Sequence, residues 1–246
     1  MNVLYFVQRA TGAAGVVDAG WAGGLGCVAL LFAIVGPGNA PHRILLAVVA
    51  GTWSFRLAYH IVRDRVIAGE EDGRYQAMRT QWGVKAQRNF YLFFMVQAGF
   101  VILFSVPLLM VAVQRVSSPT LLDIAGTLLG VGAIAGEAFA DRQLRQWRRN
   151  AENKGRTCRA GLWRYSRHPN YFFEWLHWWA YVLLAAAWPQ VLGALLGPAL
   201  MLLFLYRITG IPYTERQALK SRGDDYRAYQ RTTSAFFPWF PTRSVP

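Results

Sequence analysis

Cysteine, histidine and acidic residues are all scarce in this chain. Only two cysteines and four histidines occur, and 13 Asp and Glu stand against 26 Lys and Arg. Cys27 falls in an apolar block and Cys158 in an Arg-rich loop, which excludes a disulfide framework. No Cys/His pair has metal-ligand spacing, so no metal centre is expected. Internal repeats, heptads and low-complexity tracts are also missing, and no loop is long enough for a separate soluble domain. One helical domain over residues 1–246 is expected, with 14–113 as one half and 120–246 as the other. The segment Met1 to Val7 has neither a basic n-region nor a small-residue cleavage site, so no signal peptide is expected.

Apolar residues are abundant. They make up 54% of the chain, and aromatic residues 15%. The blocks Val16–Val35, Ile44–Val62, Phe90–Val113, Leu121–Phe139, Tyr171–Ala187 and Val191–Ile208 are each about the length needed to cross roughly 30 Å of hydrocarbon. The expected class is all-α, a polytopic transmembrane bundle of six spans, with Met1 to Val7 as a partial seventh.

A net charge of +13 would suggest a nucleic-acid partner in a soluble protein. Here the basic residues gather in short loops beside apolar blocks, which the positive-inside rule explains without nucleic acid. With six alternating spans, 63–88, 142–167 and 207–231 share one side, placing both termini and the basic loops in the cytoplasm.

Two constellations carry chemistry. Glu137, Asp141, Arg145 and Arg148 follow one another at steps of four, four and three, sharing one helical face at the end of a span. Such a stripe reads as an ion-pair ladder at a membrane exit or as a clamp for phosphate and ribose. The loop Asn150 to Arg167 follows, carrying Lys154, Arg156, Arg159, Arg164 and Arg167 with Glu152 as its single acid. Arginine makes bidentate bonds to phosphate oxygens, although lipid headgroups attract the same charge.

Pro169 is placed to open a helix, and a helix N-terminus beside a cationic loop seats a phosphate. Asn170 and Glu174 lie one turn apart below it, and His177 and Trp178 extend the face. A carboxylate on a membrane helix needs a partner or a ligand, which makes Glu174 the hardest of these to assign to packing.

The stretch Glu137 to Glu174, with the block Arg167-His168-Pro169-Asn170-Tyr171-Phe-Phe-Glu174, resembles the C-terminal half of the steroid 5α-reductase family and its bacterial membrane relatives. Arg56-Leu, Glu71-Asp-Gly-Arg-Tyr75, Gly210-Ile-Pro and Glu215 extend the resemblance over most of the chain. The eukaryotic enzymes have Asp, Leu-Arg-Gln and Arg at the spacing of Asp141, Leu144-Arg145-Gln146 and Arg148. They continue with Gly-Gly-Leu, Tyr, Asn and Glu where this chain has Ala160-Gly161-Leu162, Tyr165, Asn170 and Glu174. Glu137 stands where they carry Asn. The resemblance implies an integral protein of a bacterial inner membrane that binds NADPH through Asp141, Arg148, Arg156, Asn170 and Glu174. Glu137, Arg145, Arg164, Tyr165, Arg167, His168 and Tyr171 are further cofactor-site candidates within the same block.

The implied activity is reduction of a C=C bond conjugated to a ketone in an apolar, steroid-like or polyprenoid lipid entering from the bilayer. A carbonyl in such a reaction is polarised by an acid, a Tyr or a carboxyl kept protonated by burial. By its distance from Arg56, Asp18 falls about where the family places its catalytic Glu, while the family's catalytic Tyr position falls near Trp53. Tyr59 and His60 are alternative donors on the second span, and Asp18 also reads as a simple helix N-cap. Glu70 to Tyr75 reads either as a lid over the cofactor or as a solvated turn. Two other classes stay open. A membrane S-adenosylmethionine-dependent methyltransferase of the isoprenylcysteine carboxyl type shares a related Arg-His-Pro-x-Tyr helix start. A lipid-binding scaffold would use the arginines for headgroups.

Overall fold

The computed structural model describes residues 1–67, 71, 73–208 and 210–242. Among them the regular structure is helical: α1 (Asn2–Thr11), α2 (Val16–Val35), α3 (Ala40–Ile61), α4 (Gly73–Trp82), α5 (Ala86–Ala112), α6 (Leu121–Arg149), α7 (Pro169–Leu184), α8 (Gln190–Ala194), α9 (Leu196–Leu203) and α10 (Ile211–Thr232). Single π-helical turns follow α3 and α9, at Val62–Ile67 and Phe204–Ile208.

Among the described residues, five segments are long and apolar enough to cross a membrane, namely Val16–Val35, Ala40–Ile61, Gly73–Ala112, Leu121–Arg149 and Gln190–Thr232. The protein is therefore a polytopic helical membrane protein. The expected span at Tyr171–Ala187 is a helix, α7, but its 16 residues reach only about 24 Å at 1.5 Å per residue. The 10 residues of α1 fall further short.

The chain folds as two compact units, residues 1–123 with 184–196, and residues 124–183 with 197–246. In the first unit, α2 and α3 pack closely because Gly26 has no side chain. A Cβ there would lie 2.9 Å from Ser54 Cβ. Leu25, Leu46, Trp53, Phe104 and Leu108 are fully buried, and Trp21 presents its ring edgewise to Trp53 and Phe104. A second apolar cluster gathers Tyr5, Val17, Tyr75, Phe90 and Phe94 from α1, α2, α4 and α5. The buried His42 meets Asp123 at 3.1 Å. The other oxygen of Asp123 accepts from the backbone N–H and hydroxyl of Thr120, closing the start of α6.

In the second unit, α6 carries the other elements. Gly136 admits the ring of Phe173, which a Cβ would meet at 2.5 Å. The short turn Gly161–Arg164 folds against α6 through two hydrogen bonds. Leu162 N–H donates to Gln143 Oε1 at 3.0 Å, and Trp163 Nε1 donates to the Ala140 carbonyl at 3.0 Å. Gly161 takes φ +59 there, with Gln143 so near that a Cβ would come within 2.0 Å of its Nε2. Pro169 opens α7 as expected of a residue without an N–H to place. His177, Trp178 and Tyr181 are buried along α7.

The loop before α7 is held by α10 and the chain beyond it. Tyr229 Oη reaches the carbonyls of Trp163 and Ser166. Ser166 Oγ donates to the Phe236 carbonyl, and Arg167 N–H to that of Ser234. These bonds satisfy polar groups that burial would otherwise strand at a cost of about 1–3 kcal/mol each.

Candidate functional site

The predicted stripe on α6 runs from burial into solvent. Glu137 and Asp141 are buried, Arg145 is partly buried and Arg148 is exposed. Asn170, in the first turn of α7, donates from Nδ2 to Asp141 Oδ1 at 3.1 Å. Two residues 29 apart in sequence are thus brought together by the packing of α7 on α6. Glu174 lies one turn further along α7 and is partly buried.

Beyond Asp141 the stripe reaches a cleft of about 300 Å³. It is lined by the end of α6 (Leu144, Trp147, Arg148), the following loop (Asn150, Ala151, Asn153 to Arg156) and Ser221 and Arg222 of α10. Four of the lining residues are cationic, Arg148, Lys154, Arg156 and Arg222, and none is acidic. Like charges held around one concavity raise its potential and draw in anions. The indole N–H of Trp147 is buried with no hydrogen-bond partner among the described residues. The donor set suits a phosphate ester, and the cleft volume suits one end of a dinucleotide.

Helix α10 reaches the cleft because it is interrupted and tethered. Gly223 has φ 52 and ψ −121, a conformation that breaks the helix where Arg222 enters the lining. Asp225 accepts the Thr157 N–H at 2.6 Å and Arg159 Nη2 at 2.9 Å, pinning the cationic loop to α10.

The remaining predicted residues of this unit face elsewhere. Arg167 Nε donates to Glu215 Oε1 at 2.6 Å, and its Nη1 donates to the carbonyls of Gln230 and Thr233. His168 Nε2 lies 3.4 Å from the same Glu215 oxygen, and Gln230 Nε2 donates to the other at 2.9 Å. Tyr171 stacks on His168 and pairs its hydroxyl with Thr214. Tyr165 accepts the Trp239 N–H on its carbonyl and meets the Phe240 ring edge. Arg164 is exposed at the end of its turn. Arg167, His168, Tyr165 and Tyr171 therefore fasten α7 and its preceding loop to α10 and the C-terminal segment.

Burial opposes ionisation of Glu215, but hydrogen bonds from His168 and Arg167, the Arg167 charge and Gln230 outweigh it and hold the carboxyl at about 2. Burial lowers the pKa of His168, against the pull of Glu215, so its ring is neutral near pH 7 and Nε2–H is the donor in that contact.

In the first unit, Asp18 is the third residue of α2. Its Oδ2 accepts from Arg74 Nη2 and its Oδ1 from the Tyr75 hydroxyl, both at 2.7 Å. Glu71 accepts from Arg79 and from the Ala14 N–H. The predicted Glu70 to Tyr75 loop is thus tied to the start of α2 through Glu71, Arg74 and Tyr75, while Glu70 and Asp72 lie outside the described residues. Tyr59 and His60 occupy the last turn of α3, with Tyr59 66% exposed.

Sequence reasoning did not single out Trp147, Ser221 or Arg222. The last two sit in a polar helix some 70 residues from Arg148, and only the tertiary fold brings them to the cleft.

No curated protein and no solved structure matches the chain. One family model does, over residues 4–233, described as a protein of unknown function, DUF1295. That match takes in all but the extreme ends of the sequence, including both units, the Asn170–Asp141 pair and the cationic cleft, and the chain belongs to the DUF1295 family.

Proposed function

We propose that this protein is an NADPH-dependent membrane reductase acting on the C=C bond of an apolar enone. The observation that carries the reading is the cleft at the end of α6, lined by four cations and no acid, with Arg148 of its lining two turns along the same helix from the Asn170–Asp141 pair. Arg148, Lys154, Arg156 and Arg222 would hold the phosphates. Asp141, Asn170 and Glu174 would take the hydroxyl and amide groups nearer the membrane. Bound there, NADPH supplies the hydride. S-adenosylmethionine brings a sulfonium, an ammonium and a single carboxylate, so a methyltransferase would gain little from four cations. The resemblance of Glu137 to Glu174 to steroid 5α-reductases agrees with the same cofactor.

For the acid that polarises the substrate carbonyl, Asp18 with Tyr75 is favoured over Tyr59 and His60. The Tyr75 hydroxyl and the Asp18 carboxylate already share a hydrogen bond, so a phenol proton has a defined position beside a buffering group. Lipid-soluble substrates suit a helical protein of five candidate spans.

The test is ligand-dependent thermal stabilisation of the protein in detergent. NADPH should raise Tm and NADH should raise it less. Arg148→Gln and Arg222→Gln should each weaken NADPH binding about 10-fold, one lost charge-assisted phosphate contact of about 1.5–3 kcal/mol being partly compensated by its neighbours. Stabilisation by S-adenosylmethionine in place of NADPH would overturn the reading, and indifference to all three ligands would favour a lipid-binding scaffold.

A further inference from the structure

The chain beyond α10 exposes three large aromatic side chains within four residues. Phe237 is 53%, Trp239 72% and Phe240 76% exposed. They are not a loose tail. Trp239 N–H donates to the Tyr165 carbonyl at 2.9 Å, and Thr242 N–H to the Thr232 carbonyl at 2.9 Å, which fixes the segment at both ends. Phe236, its buried neighbour, packs on Tyr206 at 5.3 Å and on Phe172 and Trp175 of α7. The scaffold is rigid and the rings are displayed outward.

Their level relative to the bilayer follows from Tyr206. It lies near the end of the apolar block Val191–Ile208, within the fifth candidate span, and is followed at once by Arg207, the first charge of that block. That is the place where hydrocarbon gives way to headgroups, and aromatic rings with a polar edge concentrate there. Ring contact with Tyr206 sets Phe236 and its neighbours at the same depth. The charge around the segment agrees. Arg227 is paired with Asp224 at 2.6 Å, and residues 228–242 contain Arg231 and no acid. Arg231 is exposed at the end of α10, and exposed Arg164 precedes the Tyr165 that holds Trp239.

We infer that residues 236–242 form an interfacial anchor, seated in the headgroup region of a leaflet rich in anionic lipid. Phe237, Trp239 and Phe240 enter the acyl boundary, and Arg164 and Arg231 meet lipid phosphates.

The experiment uses the full chain in nanodiscs with a Cys27→Ser background, Cys158 being buried. Nitroxides are placed by Pro238→Cys or Thr242→Cys, which leave all three rings intact, and by Asp224→Cys as an exposed aqueous reference. Power saturation with oxygen and a water-soluble nickel chelate reads depth. At 238 and 242 the oxygen-to-nickel accessibility ratio should exceed that at 224 several-fold, and should rise further when phosphatidylglycerol replaces part of the phosphatidylcholine. Adding Phe237→Ser, Trp239→Ser and Phe240→Ser together should return the ratio to the aqueous value. Water-like ratios at 238 and 242 with the rings intact would overturn the proposal. So would spin–spin broadening that requires two copies per disc, since the rings would then cover one another, and a depth indifferent to anionic lipid would refute the role given to the arginines.

Discussion

Glu215→Gln tests the junction that fastens α10 to the start of α7. The carboxylate accepts from Arg167, His168 and Gln230, and its side chain and that of Arg167 are 16% and 12% exposed. A folded-state pKa of about 2, against 4.5 unperturbed, corresponds to at most about 3 kcal/mol of native-state stabilisation, trimmed by residual solvent contact. Breaking a buried pair by removing one charge typically costs about 3–5 kcal/mol. Arg167 would keep the carbonyls of Gln230 and Thr233 at 3.0 and 2.7 Å, so about 2–3 kcal/mol is expected here.

The sign in pH follows from the depressed pKa. The contribution is complete above the unfolded value of 4.5 and is lost as pH falls through the folded value of about 2. His168, whose pKa burial lowers from 6.5, adds a loss in the same direction beginning just below that value, because the unfolded chain protonates first. Pulse proteolysis in detergent between about pH 7 and pH 3 should show wild-type stability declining in both windows, and the Gln variant less stable at pH 7 but flatter below pH 4.5. A variant within about 0.5 kcal/mol of wild type at pH 7, the range of ordinary surface substitutions, with an unchanged acid profile would refute the reasoning.

Gly161→Ala should cost about 2 kcal/mol or more by thermal unfolding, since it combines a positive φ with a Cβ 2.0 Å from Gln143 Nε2. Gly155→Ala has φ +77 but open space around the new atom, so only the backbone cost of about 1–2 kcal/mol is expected. Tyr229→Phe removes the hydroxyl that serves the Trp163 and Ser166 carbonyls and should lower stability by about 1–3 kcal/mol without altering nucleotide affinity. Arg74→Ala and Asp18→Asn should each destabilise, and their effects should be strongly non-additive in a double-mutant cycle because the groups share a 2.7 Å contact.

Apolar run length made most helices legible. Val16–Val35 is both the sequence block and α2, and the blocks beginning at Phe90 and Leu121 correspond to α5 and α6. Helix ends were less legible where polar residues continue the helix, as in α6, which runs ten residues past Phe139 to Arg149. Hydropathy also could not separate a crossing from a buried core helix, and Tyr171–Ala187 reads alike for both until α7 is seen to stop at Leu184. Helical spacing placed Asp141 and Arg148 on one stripe, and the proline marked the start of α7, but the approach of Asn170 to Asp141 is visible only in the packed helices. The functions of Arg167 and Tyr171 could not be divided from that of Arg156 by sequence, because the distinction depends on Glu215 and Thr214 arriving from α10. The approach of Ser221 and Arg222 depends on a break at Gly223 that no local pattern announces.

The concentration of Arg148, Lys154, Arg156 and Arg222 around one small concavity has a bearing on handling. Crowded like charges repel one another and must recruit counterions. Dilution into low salt should therefore shorten the useful life of a preparation. Buffers containing sulfate or phosphate should lengthen it, and polyanions in a cell extract should tend to travel with the protein through the first column.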